Sequence, residues 1–286
     1  MVRFAKGHGT RNDFVLLTDE HDQQPLSAAD VRHLADRRGG IGGDGVLRAV
    51  RGRHIEGWSG DPDLWFMDYR NADGSVAEMC GNGVRVFAHY LREQGLVPED
   101  ADHIDIGTRA GLRTAWIVGD GRVRVAMGRV QAPHETVCVS LEDQSWDAAP
   151  VDVGNPHAVV LLPTTDSVAA LDLSVSPRWE PADAFPYGVN VEFVAPHGDH
   201  RIRMRVYERG VGETESCGTG TVAAARATAN AAGERDGVWT VEVPGGEVEV
   251  AFVGDEAWLT GPAVIVAHGD MEWPVASERR EEEGND

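Results

Sequence analysis

The sequence has little positive charge. Among its 286 residues, 26 Lys and Arg stand against 47 Asp and Glu, the formal net charge is −21, and Lys6 is the single lysine. Contacts to nucleic-acid phosphates need clustered Lys and Arg, so this balance argues against a protein that binds a nucleic-acid backbone. No apolar run approaches the roughly 20 residues that span a bilayer, and the N-terminus has no hydrophobic signal segment. We therefore expect a cytoplasmic protein that binds neither nucleic acid nor membrane.

Cysteine is scarce as well, with Cys80, Cys138 and Cys217 as the only three. An odd count in a reducing compartment favours free thiols over a disulfide framework. No C-x-x-C or H-E-x-x-H spacing is present, so no metal site is predicted. The glycine-rich run at 39–45 lacks the Lys-Ser or Lys-Thr of a nucleotide loop and the G-x-G-x-x-G spacing of a dinucleotide fold. We expect this run to form a turn that leads into a strand, and we expect no cofactor.

Two of the three cysteines lie in nearly the same phrase, E-M-C-G-N-G at 78–83 and E-S-C-G-T-G at 215–220. With these phrases in register, three further pairs match in the same order: Asn12 with Asn155, Gly45 with Asn190, and Asn71 with Glu208. Both halves thus run strand, polar turn, strand, cysteine, helix. We interpret this order as an internal duplication rather than as coincidence among short glycine-rich strings.

Short β-branched or alternating runs bounded by Gly, Pro and Asp predict a mostly antiparallel sheet or barrel. The clearest strands are predicted at 14–17, 64–69, 115–118, 122–127, 136–141, 158–162, 189–194, 202–207 and 264–267. Helical patterns are fewer. Two helices are predicted to start just after Cys80 and Cys217, and a third is predicted at 27–38, with Ser27 as its N-cap and Gly39 at its end. Cys138 alternates within T-V-C-V-S-L, which predicts an inert core thiol.

A cysteine at the first turn of a helix has a specific electrostatic setting. The unpaired N–H groups and the positive end of the helix dipole favour thiolate, which predicts a pKa below the free value near 8.5. The same N–H groups can hold a carboxylate. Two such cysteines in matched halves predict facing thiols with one small anion between them. A thiolate could remove the α-proton of an amino acid from one face while the opposite thiol returns a proton to the other, without metal or pyridoxal.

Four strings carry a resemblance to a known family: Y-R-N-A-D-G-S-V-A-E-M-C-G-N-G-V-R (69–85), E-R-G-V-G-E-T-E-S-C-G-T-G-T (208–221), G-H-G-T-R-N-D-F (7–14) and G-N-P-H-A (154–158). They resemble the diaminopimelate epimerase family from about residue 2 to about residue 270. The resemblance implies an α+β fold of two pseudo-symmetric domains, each a mostly antiparallel β-barrel-like sheet around a central helix.

The predicted domain organisation follows from the duplication and the resemblance. The N-terminal half covers 1–128 and carries Cys80, and the C-terminal half covers 129–262 and carries Cys217. A final strand at 263–275 returns to the first half. Residues 276–286 are acidic, and the stretch S-E-R-R-E-E-E-G-N-D within them lacks apolar residues, so we expect a disordered, solvated tail.

The resemblance also implies a reaction, the pyridoxal-independent interconversion of L,L- and meso-diaminopimelate in lysine and peptidoglycan-precursor biosynthesis. Cys80 and Cys217 match the two acid/base thiols, and His157 and Glu208 match groups that help to set their protonation. Backbone donors to the reacting carboxylate match Gly81, Asn82, Gly218 and Thr219. The groups that bind the amino groups and the distal carboxylate match Asn12, Asn71, Asn155, Asn190, Glu208 and Arg209. The family often has Gln where this chain has Gly45, so a side-chain contact from that position is in doubt.

Two other functions remain open from the sequence. A proline-racemase-like enzyme shares the two-thiol logic, but it would carry His at position 82 and would not need Arg209. A thiol-redox or plain ligand-binding protein would instead use a reversible Cys80–Cys217 disulfide as its function. Whatever the function, exposed edge strands favour a homodimer.

Overall fold

The computed structural model describes residues 1–133 and 135–272, so the predicted acidic tail at 276–286 lies outside the described residues. The strands are β1 (Val2–Gly9), β2 (Asn12–Thr18), β3 (Gly45–Arg51), β4 (Trp65–Asn71), β5 (Ile104–Thr108), β6 (Gly111–Val118), β7 (Arg122–Arg129), β8 (Val137–Leu141), β9 (Gln144–Asp152), β10 (Pro156–Leu161), β11 (Arg178–Glu180), β12 (Asn190–Gly198), β13 (Arg201–Glu208), β14 (Gly212–Thr214), β15 (Gly237–Val243), β16 (Gly246–Val253), β17 (Glu256–Pro262) and β18 (Val264–Met271). The α-helices are α1 (Ala28–Ala35), α2 (Gly81–Glu93), α3 (Thr165–Ala169) and α4 (Gly218–Ala231).

The strands form one hydrogen-bonded network that is mostly antiparallel, which confirms the predicted α+β class. The parallel pairs of the described residues are β2–β3, β4–β5, β10–β12 and β13–β15. Each parallel pair of the first half therefore has a counterpart in the second. The halves are joined where β7 pairs with β17, and β18 runs antiparallel to β1.

The register of the strands supports the predicted duplication. Phe14 lies opposite Gly45 in β2–β3, and His157 lies opposite Asn190 in β10–β12. These pairs follow Asn12 and Asn155 by the same two residues, so the sequence alignment and the strand pairing agree. A shift of one residue in either half would turn every side chain of that strand to the other face of the sheet.

Two helices form the centres of the halves. The first, α2, packs against β1, β2, β6 and β7, and α4 packs against β9, β10 and β12. Val84, Phe87 and Leu91 of α2 are fully buried, as are Val222 and Ala224 of α4. A helix that is buried on most sides lies in a core rather than on a surface. Truncation of Phe87 to alanine should cost about 3–5 kcal/mol of stability.

Two local predictions were wrong. Helix α1 has Ser27 as its N-cap, as predicted, but ends at Ala35 rather than near Gly39. Asp36 stops it, because its carboxylate accepts the amide protons of Arg38 and Gly39 at 2.7 and 2.9 Å and holds the chain in a turn. Cys138 is exposed rather than in the core. The neighbouring Val137 and Val139 face the core, so the residue between them faces solvent.

Among residues 1–133 and 135–272, none of the helices combines the length and the apolar character that a membrane-spanning helix needs.

Candidate active site

A cleft of about 1480 Å³ lies between the halves and is lined by residues of both. It brings together most of the site residues predicted from the sequence: Asn12, Asn71, Cys80 and Gly81 from the first half, and Asn155, Asn190, Glu208, Arg209, Cys217, Gly218 and Thr219 from the second. Two predicted residues do not line it. His157 is fully buried, and Asn82 is buried beneath the cleft wall.

The N-termini of α2 and α4 touch each other in this cleft. A Cβ added to Gly218 would lie 3.1 Å from the Cα of Gly81 and 3.3 Å from the backbone nitrogen of Asn82. Only glycine lets the two backbones approach this closely. The unpaired N–H groups and the positive ends of both helix dipoles therefore converge on one small region, which suits a carboxylate.

Both cysteines are the N-caps of their helices. The Cys80 sulfur accepts a hydrogen bond from the backbone N–H of Gly83 at 3.4 Å, and the Cys217 sulfur accepts one from Gly220 at 3.4 Å. Cys80 and Cys217 have extended backbone, with φ of −141° and −121°. Sulfur takes the place that an oxygen of Ser, Thr or Asp usually has at this position. The thiols thus have the same local geometry at the starts of two helices that meet.

The protonation of these thiols differs from the prediction. Burial raises the pKa of Cys80 to about 11, although the hydrogen bond from Gly83 acts in the opposite direction. Burial also raises the pKa of Cys217 well above its usual value, and the charges of Glu208 and Glu192 raise it further. The expected pKa below 8.5 is therefore wrong for the protein without substrate. Loss of solvation outweighs the helix terminus, because a thiolate in this wall has little water around it.

A buried histidine–carboxyl contact lies behind Cys217. His157 Nδ1 is 2.7 Å from Glu192 Oε1, and His157 Nε2 is 3.1 Å from Asn155 Oδ1. The Asn155 amide thus separates the imidazole from the cleft. Glu192 was not predicted as a site residue; its signal is a charged residue inside the buried run V-N-V-E-F-V. A Cβ on Gly220 would lie 2.6 Å from Glu192 Oε1, so this carboxylate abuts the first turn of α4.

A second polar network joins the two halves beside Cys80. The Cys80 thiol donates to Asn12 Oδ1 at 3.4 Å, and Asn82 Nδ2 lies 3.3 Å from the same oxygen. Asn82 Nδ2 also donates to the backbone carbonyl of Ser216 at 3.1 Å, and Ser216 Oγ is 2.7 Å from Thr10 Oγ1. The Asn82 side chain is therefore fixed by the fold, and its backbone N–H is the group that remains for a ligand. Thr10 and Ser216 were not predicted from the sequence.

The polar side chains at the other end of the cleft are already oriented by neighbours. Asn190 Oδ1 accepts the backbone N–H of Arg209 at 2.9 Å, and Arg209 Nη1 donates to the carbonyl of Tyr187 at 3.1 Å. The Thr214 hydroxyl donates to Glu208. Burial raises the pKa of Glu208, while that hydrogen bond lowers it. A guanidinium, an amide and a carboxylate in one wall can bind both a carboxylate and an ammonium group.

Within residues 1–133 and 135–272, no group of three or more His, Cys, Asp or Glu side chains is placed to share a metal ion. All three cysteines are free thiols. The polar groups that line the cleft include thiols, carboxylates, amides, hydroxyls and several guanidinium groups, together with the N-termini of two helices.

Comparison with known proteins identifies relatives along nearly the whole chain. The family model described as "Diaminopimelate epimerase" matches residues 4–133 and 150–272. The diaminopimelate epimerase of Corynebacterium glutamicum is 48% identical over 275 residues, covering 95% of this chain and 98% of that protein. The diaminopimelate epimerase of Thermobifida fusca is 50% identical over 278 residues, covering 94% and 98%.

Solved structures share the fold at low identity. A probable proline racemase from Agrobacterium radiobacter has a TM-score of 0.68 at 18% identity, covering 97% of this chain and 94% of that one. A phenazine biosynthesis protein of the PhzF family from Bacillus anthracis has a TM-score of 0.68 at 15% identity, covering 95% and 99%. The two-half architecture thus recurs in proteins with different names.

Proposed function

Because the chain belongs to the diaminopimelate epimerase family, it is an isomerase that interconverts L,L- and meso-diaminopimelate, and we propose that Cys80 and Cys217 carry out the inversion as a pair of acid/base thiols. The observation that carries this proposal is the meeting of two cysteine-capped helix N-termini in one cleft. The reaction belongs to lysine and peptidoglycan-precursor biosynthesis.

The chemistry proposed for the two thiols needs one of them as thiolate. The thiolate takes the proton from the α-carbon, and the electron pair of the broken C–H bond moves into the adjacent carboxylate. The opposite thiol then gives its proton to the other face of the carbon, which leaves the two sulfurs with exchanged protonation states. The backbone N–H groups of Gly81, Asn82, Gly218 and Thr219 stabilise the negative charge on the carboxylate. No cofactor takes part in this scheme.

The substrate itself helps to form the thiolate. In the substrate-free cleft, burial holds both thiols in the protonated form. The α-ammonium group of diaminopimelate brings a positive charge to within a few ångströms of the sulfurs, and a nearby opposite charge favours the ionised form. Glu208, whose pKa is raised by burial, is placed to exchange a proton with Cys217. His157 acts indirectly, by fixing Asn155 and Glu192.

The other end of the substrate is held by side chains of both halves. Arg209 offers the guanidinium nitrogens other than Nη1 to the distal carboxylate, together with the amides of Asn71 and Asn190. Asn12, Asn155 and Glu208 face the amino groups. The cleft is larger than the substrate, so we expect the halves to close on it and exclude water.

We also propose a cytoplasmic homodimer. The support is the strand β18, which pairs with β1 along one edge and exposes Val264 and Val266. Sedimentation of the purified protein tests this assembly, because a dimer and a monomer of 30.9 kDa separate clearly.

Incubation of reduced protein with L,L-diaminopimelate in deuterated water tests the function. Each inversion should replace the α-proton with deuterium, and the NMR signal of that proton should decay as meso-diaminopimelate forms. Loss of the signal without meso product, or no loss at all, would contradict the proposal. Equal treatment with L-proline separates a proline-racemase activity from the one proposed.

A further inference from the structure

Tyr69 is a cleft residue to which the sequence assigned no role. It lies on β4, two residues before Asn71, so the two side chains share one face of the strand. Asp68, the residue before Tyr69, faces the opposite side and binds Arg48. The Tyr69 side chain lines the cleft and is only 8% exposed. Its hydroxyl group makes no hydrogen bond within residues 1–133 and 135–272.

The ring of Tyr69 occupies the space that a side chain at position 45 would need. A Cβ on Gly45 would lie 2.7 Å from Tyr69 Cε2 and 2.5 Å from the carbonyl oxygen of Arg70. Gly45 is therefore required for space, because its φ is not in the left-handed region. Gly45 and Tyr69 therefore pack together, because the tyrosine ring fills the space that a side chain at position 45 would take.

The second half shows the reverse arrangement. By the strand register, Asn190 corresponds to Gly45 and Val206 corresponds to Tyr69. The second half thus has a polar side chain on its first strand and an aliphatic one on the next. The first half has no side chain on the first strand and a phenol on the next. Each half places one hydrogen-bonding side chain in the same part of its wall.

The surroundings of the Tyr69 hydroxyl determine what it can bind. Burial raises its pKa, and the nearby acidic groups of Cys80, Glu208, Asp44 and Cys217 raise it further. The phenol therefore stays protonated through the physiological range and acts as a hydrogen-bond donor. A donor with no partner in a wall rich in acids is matched by an anionic ligand group.

We propose that the Tyr69 hydroxyl donates a hydrogen bond to the distal carboxylate of bound diaminopimelate. The reacting carboxylate has the backbone N–H groups of two helices, whereas the donors near the distal one are partly engaged: Asn71 Nδ2 bonds to Ser75 Oγ at 3.0 Å, and Arg209 Nη1 bonds to Tyr187. Tyr69 lies on the same strand face as Asn71. This inference rests on the proposed function and names a ligand of its substrate.

Tyr69→Phe tests the proposal, with Tyr90→Phe as a matched control. Phenylalanine keeps the ring against Gly45 and removes only the hydroxyl. Tyr90 is also buried, but its hydroxyl lies 2.8 Å from Thr18 Oγ1, and Tyr90 does not line the cleft. Melting temperature, kcat and KM are measured for both variants and the wild type.

The two variants should change different quantities, KM in one and the melting temperature in the other. Tyr69→Phe should raise KM about 10-fold or more with kcat and melting temperature nearly unchanged, because a hydrogen bond to a charged group present throughout the reaction is lost. Tyr90→Phe should lower the melting temperature and leave KM unchanged. A wild-type KM in Tyr69→Phe overturns the proposal. So does a fall in kcat at constant KM, which would place the phenol at the reacting carbon. Wild-type protein that exchanges no α-proton instead contradicts the proposed function.

Discussion

The two thiols have the same local geometry but different charged neighbours. Cys217 lies near two carboxylates, Glu192 and Glu208, and both raise its pKa. Near Cys80, one carboxylate is opposed by the guanidinium of Arg85, which lowers the pKa. The matched helix starts therefore differ in the charged groups around them. When one of the two thiols ionises, the surrounding charges therefore favour a Cys80 thiolate with a Cys217 thiol over the reverse arrangement.

Arg85 is an unusual buried cation. It is fully buried on α2, where α4 has Val222. Its Nη2 donates to Thr10 Oγ1 at 3.3 Å, and within the described ranges its Nη1 has no hydrogen-bond partner and the guanidinium no carboxylate. Burial lowers the Arg85 pKa to about 10, so it remains charged at neutral pH. An uncompensated buried charge destabilises the fold. At this position the charge of Arg85 offsets part of the rise that burial causes in the pKa of Cys80.

Removal of either thiol should have the largest effect. Cys80→Ala and Cys217→Ala should each lower the rate of epimerisation at least 10²-fold, because each variant leaves one face of the stereocentre without its proton donor or acceptor. Circular dichroism should show an unchanged fold. The exposed Cys138 provides the control, and Cys138→Ala should be active. Full activity in either of the first two variants would end the two-thiol mechanism.

Oxidation should cross-link the two halves of the protein through the two thiols, which stay unlinked in the proposed mechanism. Mild oxidant without substrate should give an inactive protein with a Cys80–Cys217 disulfide and a free Cys138, and reductant should restore activity. Peptide mapping identifies the linked cysteines. A disulfide with Cys138 would show that the first two thiols do not face one site. Electron transfer from a dithiol to a partner protein, without epimerisation, would favour the redox alternative.

Arg209→Met should weaken binding of the distal carboxylate. A guanidinium–carboxylate contact in a closed site contributes about 1.5–3 kcal/mol, so kcat/KM should fall roughly tenfold or more. Arg201→Met is the control, because Arg201 begins β13, the strand that ends just before Arg209, and pairs with Glu247 at the surface. Steady-state kinetics should show the loss in the first variant alone. Equal values for both would place the distal carboxylate elsewhere.

Arg85→Met should reduce the difference between the thiols. Loss of the buried cation should raise the pKa of Cys80 further and slow its alkylation by iodoacetamide at fixed pH, with kcat/KM falling up to about tenfold. Arg85→Lys keeps the charge and should retain more of both. Peptide-resolved alkylation against pH measures each cysteine separately. An unchanged Cys80 profile in a folded Arg85→Met variant would show that this charge does not reach the sulfur.

The smallest expected effect concerns an ion cluster that the first half alone has. Burial raises the pKa of Asp13, but hydrogen bonds from Arg37 and Lys6 lower it to about 2; the second half has Pro156 at this position. A carboxyl with a lowered pKa stabilises the fold when ionised. This contribution is therefore present above the unfolded pKa near 4 and is lost as pH falls to about 2. Asp13→Asn should flatten that part of the curve of unfolding free energy against pH, measured by urea titration. An unchanged slope would contradict the assignment.

The sequence by itself determined the repeat, the strand-rich class and the two cysteine-capped helices. These features depend on neighbours a few residues apart: the glycines after Cys80 and Cys217, the cap at Ser27, and the alternation of apolar residues. The positions carried over from the family also lie mostly in one cleft, because Asn12 and Asn155 keep their register within matched strands. The prediction of a buried Cys138 was wrong because alternation separates the residues of a strand into two faces but does not say which face is buried.

Only the tertiary structure decided the electrical character of the site. Arg85 and Tyr69 lie in ordinary helix and strand patterns that do not mark them, and Glu192 is marked in the sequence only as a charged residue within the run V-N-V-E-F-V. Their roles depend on contacts across the fold, such as Glu192 against the first turn of α4 and Tyr69 in the space above Gly45. The direction of the thiol pKa shifts was likewise set by burial, which a local helix start cannot reveal. Desolvation depends on every residue that excludes water from a group, and the fold brings those residues from distant parts of the chain.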